Sequence, residues 1–139
     1  MIVVDTNVLF ALTDRRDAHH AQCRVWLSGC DEPLIVLPTV LAEACYLLDK
    51  YLGPVAQAAF LDSIGIGAGY RFQLVGLVDE DLRRMADLVR RYADRRLGGT
   101  DASMIAVCER LSIASVATVN RRDFANVRPR HVSAFAIVP

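Results

Sequence analysis

Three acidic residues stand where acidic residues are hard to place. Asp5 follows the apolar run Ile2-Val3-Val4, Glu43 is the only charged residue between Glu32 and Asp49, and Asp101 follows the pair Gly98-Gly99. Asp5, at the carboxyl end of a short strand, reads equally well as a functional group and as an N-cap for a helix beginning near Val8. Glu43 lies within Pro-Thr-Val-Leu-Ala-Glu-Ala-Cys-Tyr-Leu-Leu. On a helix it shares a stripe with Val40 and Leu47, which turns it toward the sheet, where an ionised carboxylate needs a cation or several donors. No lysine or arginine lies within one helical turn of it. Asp101 suits the dipole at a helix start, and it also shares the inward stripe of Met104, Ile105 and Cys108. A fourth group, Thr118-Val-Asn-Arg-Arg-Asp-Phe124, offers Thr118, Asn120 and Asp123 after another strand. Carboxylates gathered at one place repel and raise one another's pKa unless a divalent ion neutralises them. Oxygen ligands without His or Cys beside them favour Mg²⁺ or Mn²⁺ over zinc.

Such a gathering needs a frame that brings distant parts of the chain to one edge. The run Ile2-Val3-Val4 reads as a buried strand, and Leu34–Leu37, Phe72–Val75, Ser115–Val119 and Ala134–Val138 read as four more. Between them lie helical patterns: one from about Val8 and one capped at Asp17 with Cys23, Trp26, Leu27 and Cys30 at helical spacing. A third runs from Pro38 to Asp49, with proline in its first turn, and an alanine-rich fourth runs from Gly53-Pro54 to the glycines Gly65, Gly67 and Gly69. From Asp79 to Asp94 the apolar positions Leu82, Met85, Ala86, Val89, Tyr92 and Ala93 form one stripe, with Glu80–Arg84 and Asp87–Arg91 as i,i+4 pairs on the outer face. A last helix runs from about Asp101 to Leu111. Alternating strands and helices predict an α/β domain over residues 1–139, a mainly parallel sheet of about five strands with helices on both faces. In such sheets ligands bind beyond the carboxyl ends of the strands, where the strand order reverses.

Composition narrows the function. A chain of 139 residues, 53% hydrophobic, suffices for a single core. It shows no signal peptide and no apolar run of about 20 residues, so a soluble cytoplasmic protein is expected, with no membrane partner. Cys23, Cys30, Cys45 and Cys108 show neither C-x-x-C spacing nor paired histidines, which predicts reduced thiols. Sixteen basic and sixteen acidic residues cancel, which argues against a globally basic nucleic-acid wrapper and leaves that work to local patches. All basic residues but Lys50 are arginine, in doublets at 15–16, 83–84, 90–91, 95–96 and 121–122. Arginine forks suit phosphate oxygens, although for any one doublet codon bias and a solvated face are the plainer account.

Taken in order, Val4-Asp5-Thr6-Asn7, Leu41-Ala42-Glu43, Gly99-Thr100-Asp101-Ala102 and Thr118-Val-Asn-Arg-Arg-Asp-Phe124 resemble the PIN-domain family, and most closely its VapC-type ribonuclease toxins. The likeness spans essentially the whole chain. It implies an α/β/α sandwich, Mg²⁺ or Mn²⁺ held by acidic residues, endonucleolytic cleavage of RNA, homodimerisation, and inhibition by a small cognate antitoxin of the VapB type. By position Asp5 and Asp101 match the principal metal-binding aspartates, and Glu43 matches the acid between them. Where many relatives carry an acid in the first place of the last motif, this chain has Asn120, with Asp123 three residues later. The resemblance thus implies that the carboxylates hold the ion that activates water for in-line attack on a phosphodiester. Thr6, Asn7 and Thr118 would hydrogen-bond those ligands, and Arg121 and Arg122 would contact phosphate. The expected function is that of a toxin cleaving tRNA or rRNA and so inhibiting translation and growth.

Two other classes compete. A catalytically idle RNA- or protein-binding module is disfavoured by the three retained carboxylates and slightly favoured by Asn120. A phosphate-handling enzyme with Asp5 as nucleophile would place a second acid on the same loop, and Thr6-Asn7 supplies none.

Overall fold

Short runs of β-branched and aliphatic residues, too brief for helices and closed by Asp, Pro or Gly, become the strands of this protein. The computed structural model describes residues 1–65 and 71–139. Its elements in chain order are β1 (Ile2–Val4), α1 (Thr6–Thr13), α2 (His20–Gly29), β2 (Leu34–Val36), α3 (Pro38–Leu52), α4 (Pro54–Ile64), β3 (Phe72–Leu74) and α5 (Asp79–Arg91). A 3₁₀ turn at Ala93–Arg95 then precedes α6 (Gly99–Leu111), β4 (Ser115–Ala117), α7 (Arg121–Ala125) and β5 (Ala136–Val138).

All four strand pairings are parallel, in the order β3-β2-β1-β4-β5, with Ile2 beside Leu34 and Ser115. The chain therefore steps outward from β1 in one direction and then returns to build β4 and β5 on the other side. That reversal makes the β1/β4 border the topological switch point. Right-handed crossovers put α1 to α4 on one face and α5 to α7 on the other. Packing within each layer follows the same division, with α1 against α2 and α3, α3 against α4, and α5 against α6, while α3 also touches α6 across it. The core runs through both layers, from Val8, Leu9, Val40 and Leu48 past the fully buried β1 and β2 to Leu88, Ile105 and Phe124. The four cysteines are free. Among the described residues no helix is long and apolar enough to cross a membrane.

The expected sheet is present; β1 keeps its expected bounds and the other four strands are each shorter than expected. Several helices also differ from their expected bounds. The first begins at Thr6, because Asp5 is itself the N-cap and accepts from Thr6 N–H at 2.7 Å. The second begins at His20, although Asp17 still takes the His19 N–H at 2.7 Å. The third continues past Asp49 until Gly53, whose φ of 86° lets its N–H close back on Leu48 and Asp49. Gly65 ends α4 as expected, while Gly67 and Gly69 lie outside the described residues. A five-residue α7 forms where no helix was expected, since so short a helix shows no periodicity.

The largest departure is α5. Its buried positions are Asp81, Arg84, Leu88 and, just beyond its end, Tyr92, while Leu82 and Val89 of the expected apolar stripe are exposed. The expected Glu80–Arg84 and Asp87–Arg91 pairs do not form. Arg84 instead forks onto Glu109 of α6, Nε at 2.7 Å and Nη2 at 2.9 Å, and Asp87 pairs with Arg90. In the reverse sense Arg110 of α6 donates through Nε to both oxygens of Asp81 at 3.0 Å. The inward face of α5 is thus partly ionic, which inverts the polarity by which such a face is ordinarily recognised.

Candidate functional site

β1 and β4 end side by side at the switch point, and that junction fixes the first acid. Asp5 N–H donates to the Ala117 carbonyl at 2.9 Å, which makes Asp5 a rung of the sheet, while its carboxylate caps α1. The side chain is 6% exposed and takes three hydrogen bonds. Oδ1 accepts from Thr6 N–H, and Oδ2 accepts from the Thr118 hydroxyl at 2.7 Å and from Asn7 Nδ2 at 2.6 Å. Asn7 binds across the junction: Nδ2 also donates to Thr118 Oγ1 at 3.0 Å, and Oδ1 accepts from Val119 N–H at 3.1 Å. Thr118 is fully buried and also accepts from Asn120 N–H at 3.1 Å. Burial raises the Asp5 pKa above its ordinary value, the nearby Glu43 charge adds to that rise, and the three hydrogen bonds offset it only in part.

Asp101 stands at the third position of α6, half-buried, where burial and then the charges of Asp5, Asp123 and Glu43 push its pKa up to about 7. The Gly98 N–H counters this only in part. The expected stripe of Met104, Ile105 and Cys108 is buried, but every residue from Ala102 to Cys108 is buried too, so the stripe does not single out the side to which Asp101 turns. Its place at the helix start positions the side chain instead. A Thr39–Ser103 hydroxyl contact of 2.7 Å ties α6 to the start of α3 beside it.

Glu43 requires a correction. It is exposed, because the inward line of α3 is Val40, Ala44 and Leu48, and position 43 falls to the flank of that line. Burial therefore does not force a cation on it, contrary to the sequence expectation. It nevertheless reaches the same cluster, since Thr6 Oγ1 donates to its Oε2 at 2.8 Å and its charge acts on both Asp5 and Asp101.

Asn120 and Asp123, alternatives in the sequence, act together. Both are exposed; the Asn120 amide donates to Asp123 Oδ2, and the Asp123 charge bears on Asp101. Of the doublet beside them, Arg122 lines the same small cleft as Asp101 and Asp123, whereas Arg121 Nη2 donates to the Pro139 carbonyl at 2.6 Å. That cleft is also lined by Tyr92, Arg95 and Arg96, which sequence reasoning did not place at the site. The available signal is the 95–96 doublet, which a solvated face explains as readily.

Four carboxylates thus surround one edge without an ion pair to any arginine or lysine among the described residues. As they stand, no three carboxylate, histidine or cysteine groups among the described residues close on a single ion. The donor set nonetheless fits a hard divalent cation: it is all oxygen, it is anionic, and two of its members are held partly dehydrated with raised pKa values. Asp5, Asp101, Glu43 and Asp123 are the residues that could hold it.

The family model described as PIN domain matches residues 2–128. A curated relative, ribonuclease VapC26 of Mycobacterium tuberculosis, is 28% identical over 138 residues, covering 99% of this chain and all of the relative. Among solved structures, the sarcin-ricin loop cleaving toxin VapC20 of Mycobacterium tuberculosis superposes with a TM-score of 0.75 at 22% identity, over 84% of this chain and 87% of the other. A toxin–antitoxin complex from Klebsiella pneumoniae gives a TM-score of 0.66 at 20% identity, over 100% and 97%. At these identities the structural likeness speaks for the fold.

Proposed function

This chain belongs to the PIN-domain family, and on that premise we propose that it is a single-domain, Mg²⁺-dependent endoribonuclease, with Mn²⁺ as substitute, acting as the toxin of a toxin–antitoxin pair. The observation that carries this reading is Asp101: burial and the charges of Asp5, Asp123 and Glu43 push its pKa up to about 7, and among the described residues no arginine or lysine forms an ion pair with it. A site that keeps like charges together at a sheet edge is built for a charge it does not itself contain. Bound there, a divalent ion supplies the charge that makes water a nucleophile and steadies the leaving oxygen. Asp5 and Asp101 are its principal ligands, Glu43 and Asp123 complete the set, and Asn120 orients Asp123. Thr6, Asn7 and Thr118 fix the acids through the hydrogen bonds described, and Arg122, with Arg121 beside it, meets substrate phosphate.

The ribonuclease name of the curated relative and the toxin descriptions of the solved structures support extending this to a cellular RNA, tRNA or rRNA, whose cleavage stops translation and growth. The toxin–antitoxin complex among the solved structures supports an antitoxin as partner, which on this reading is small and of the VapB type, with the cytoplasm as the place of action. Homodimerisation fits the apolar side chains left exposed along β3 and α5, namely Leu74, Val78, Leu82 and Val89. Purified protein incubated with structured RNA should cleave it in Mg²⁺ and not in EDTA. Absence of metal-dependent cleavage would leave the idle binding module in possession. A small open reading frame immediately upstream, whose product co-purifies with this chain and blocks cleavage, tests the toxin role.

A further inference from the structure

A chain of zero net charge sets a run of unpaired arginines beside its acidic cluster. Two clefts adjoin there. The smaller, ≈ 100 Å³, holds Asp101 and Asp123 together with Arg95, Arg96 and Arg122. The larger, ≈ 310 Å³, holds Arg91, Arg95 and Arg128, with Asp94 as its one carboxylate. Tyr92, Arg95 and Asn126 line both, so the two form one track leading away from the site.

Elsewhere Arg84 pairs with Glu109, Arg110 with Asp81, Arg90 with Asp87 and Arg16 with Asp14, while Arg15, Arg24 and Arg83 are exposed groups outside both clefts. What sets the track apart is that its arginines cluster beside the carboxylates. Among the described residues, none of Arg91, Arg95, Arg96, Arg122 and Arg128 is in an ion pair. The track is also held in place. The Tyr92 hydroxyl accepts from Arg128 N–H at 3.1 Å, and the Arg91 and Arg95 guanidinium groups lie 5.7 Å and 6.0 Å from the Tyr92 ring centre. Arg95 Nη1 donates to the Asn126 carbonyl at 3.1 Å, and Arg96 turns the chain with φ 55°, a region that side-chain-bearing residues seldom occupy. Unpaired guanidinium groups clustered along adjoining clefts, with Arg91 and Arg95 held against Tyr92, are ligands for phosphates. The Tyr92 ring is buried and enclosed by those groups, so it offers no face for stacking a base.

We propose that this track binds the sugar–phosphate backbone of single-stranded RNA on one side of the scissile bond, with Arg95, Arg96, Arg122 and Arg128 meeting successive phosphates irrespective of base. The inference rests on the reading of the carboxylate cluster as a phosphodiester-cleaving site, and it assigns that site's substrate grip to residues 91–96 and 128. Backbone contacts give affinity and register without sequence preference, so base selection belongs to other surfaces. Clefts of ≈ 310 Å³ and ≈ 100 Å³ have room for the backbone of one strand and not for a duplex.

The test measures binding of a short unstructured oligoribonucleotide to the full chain carrying Asp5→Asn, in Mg²⁺, across a salt series. The double variant Arg96→Asn with Arg128→Gln removes two charges while asparagine tolerates the left-handed backbone at 96. Each lost phosphate contact lowers the salt slope by about 0.7, so the slope should fall by about 1.4 and affinity at moderate salt by about tenfold or more, equally for all base compositions. Arg83→Gln, outside the track on α5, should change neither. Unchanged affinity and slope in the double variant overturns the proposal, as does a loss confined to one base composition or failure of the Asp5→Asn protein to bind RNA at all. A wild-type chain that binds RNA through the track and never cleaves it overturns only the nuclease reading.

Discussion

Between α5 and α6 Asp81, Arg84 and Glu109 are drawn inward, with Arg110 at the rim, and each charge meets its opposite: Arg84 with Glu109, Arg110 with Asp81. At the β1/β4 edge four carboxylates also converge, and none meets a cation of the protein among the described residues. The pKa values record the difference. Burial alone would raise Glu109, yet the Arg84 fork and the Arg130 N–H hold it below its ordinary value, whereas Asp101 is driven up to about 7. Enclosed charge is therefore no mark of function in this molecule. What separates the two regions is whether the protein supplies the countercharge.

The sharpest way to break this contrast is to neutralise one unpaired acid. Asp5→Asn or Asp101→Asn should lower RNA cleavage roughly a thousandfold, the scale of several kcal/mol of lost charge stabilisation. The far-ultraviolet circular dichroism should stay that of the parent. Normal cleavage by Asp5→Asn would show that the site is misassigned. In the paired region the same kind of change should act on stability. Arg84→Ala leaves Glu109 enclosed without its ion-pair partner and with only the Arg130 N–H to meet it, at a cost of about 3 kcal/mol in urea unfolding. The apolar double variant Arg84→Met with Glu109→Leu should recover most of it.

Smaller effects probe the supports. Thr118→Val keeps the shape and removes the hydroxyl that Asp5 accepts from, so the Mg²⁺ concentration for half-maximal cleavage should rise about 10- to 100-fold. The last prediction concerns pH. Asp101 ionises near 3.8 when unfolded and about 7 when folded, so its contribution to folding is complete below pH 3.8. It is lost as the pH climbs from there to about 7. In EDTA the thermal midpoint should therefore fall across that interval, and Mg²⁺ should flatten the fall. Asp101→Asn should raise the EDTA midpoint at pH 7.5 by roughly 4 °C, what ~1 kcal/mol does for a domain of this size. A midpoint indifferent to pH and to Mg²⁺ would mean that the acids do not repel.

The same contrast explains what could be read from the residues alone. The strands were legible because Ile2-Val3-Val4 and Leu34–Val36 are apolar throughout, as a parallel sheet covered on both faces requires. Asp5 was legible for the same reason, since it ends such a run. The α5 face was not, because a buried Asp81 and Arg84 look like surface residues until Glu109 and Arg110 are seen across from them. Glu43 misled in the other direction, since a helical stripe specifies a side chain's direction only to within a sector and its neighbour Ala44 took the core. The arginine track escaped notice because Arg95 and Arg128 are 33 positions apart, and only the fold shows that Tyr92 joins them.

One further consequence lies in the enclosed helix α6. A helix with no free face from Ala102 to Cys108 cannot roll or slide without displacing core on every side, and Asp5 is a rung of the sheet. Asp5 and Asp101 are therefore the fixed jaws of the site, while Glu43 and Asp123, on exposed positions of other helices, are the adjustable ones. On the proposed reading, the rigid pair would set where an ion is held and the compliant pair would close on it as substrate arrives.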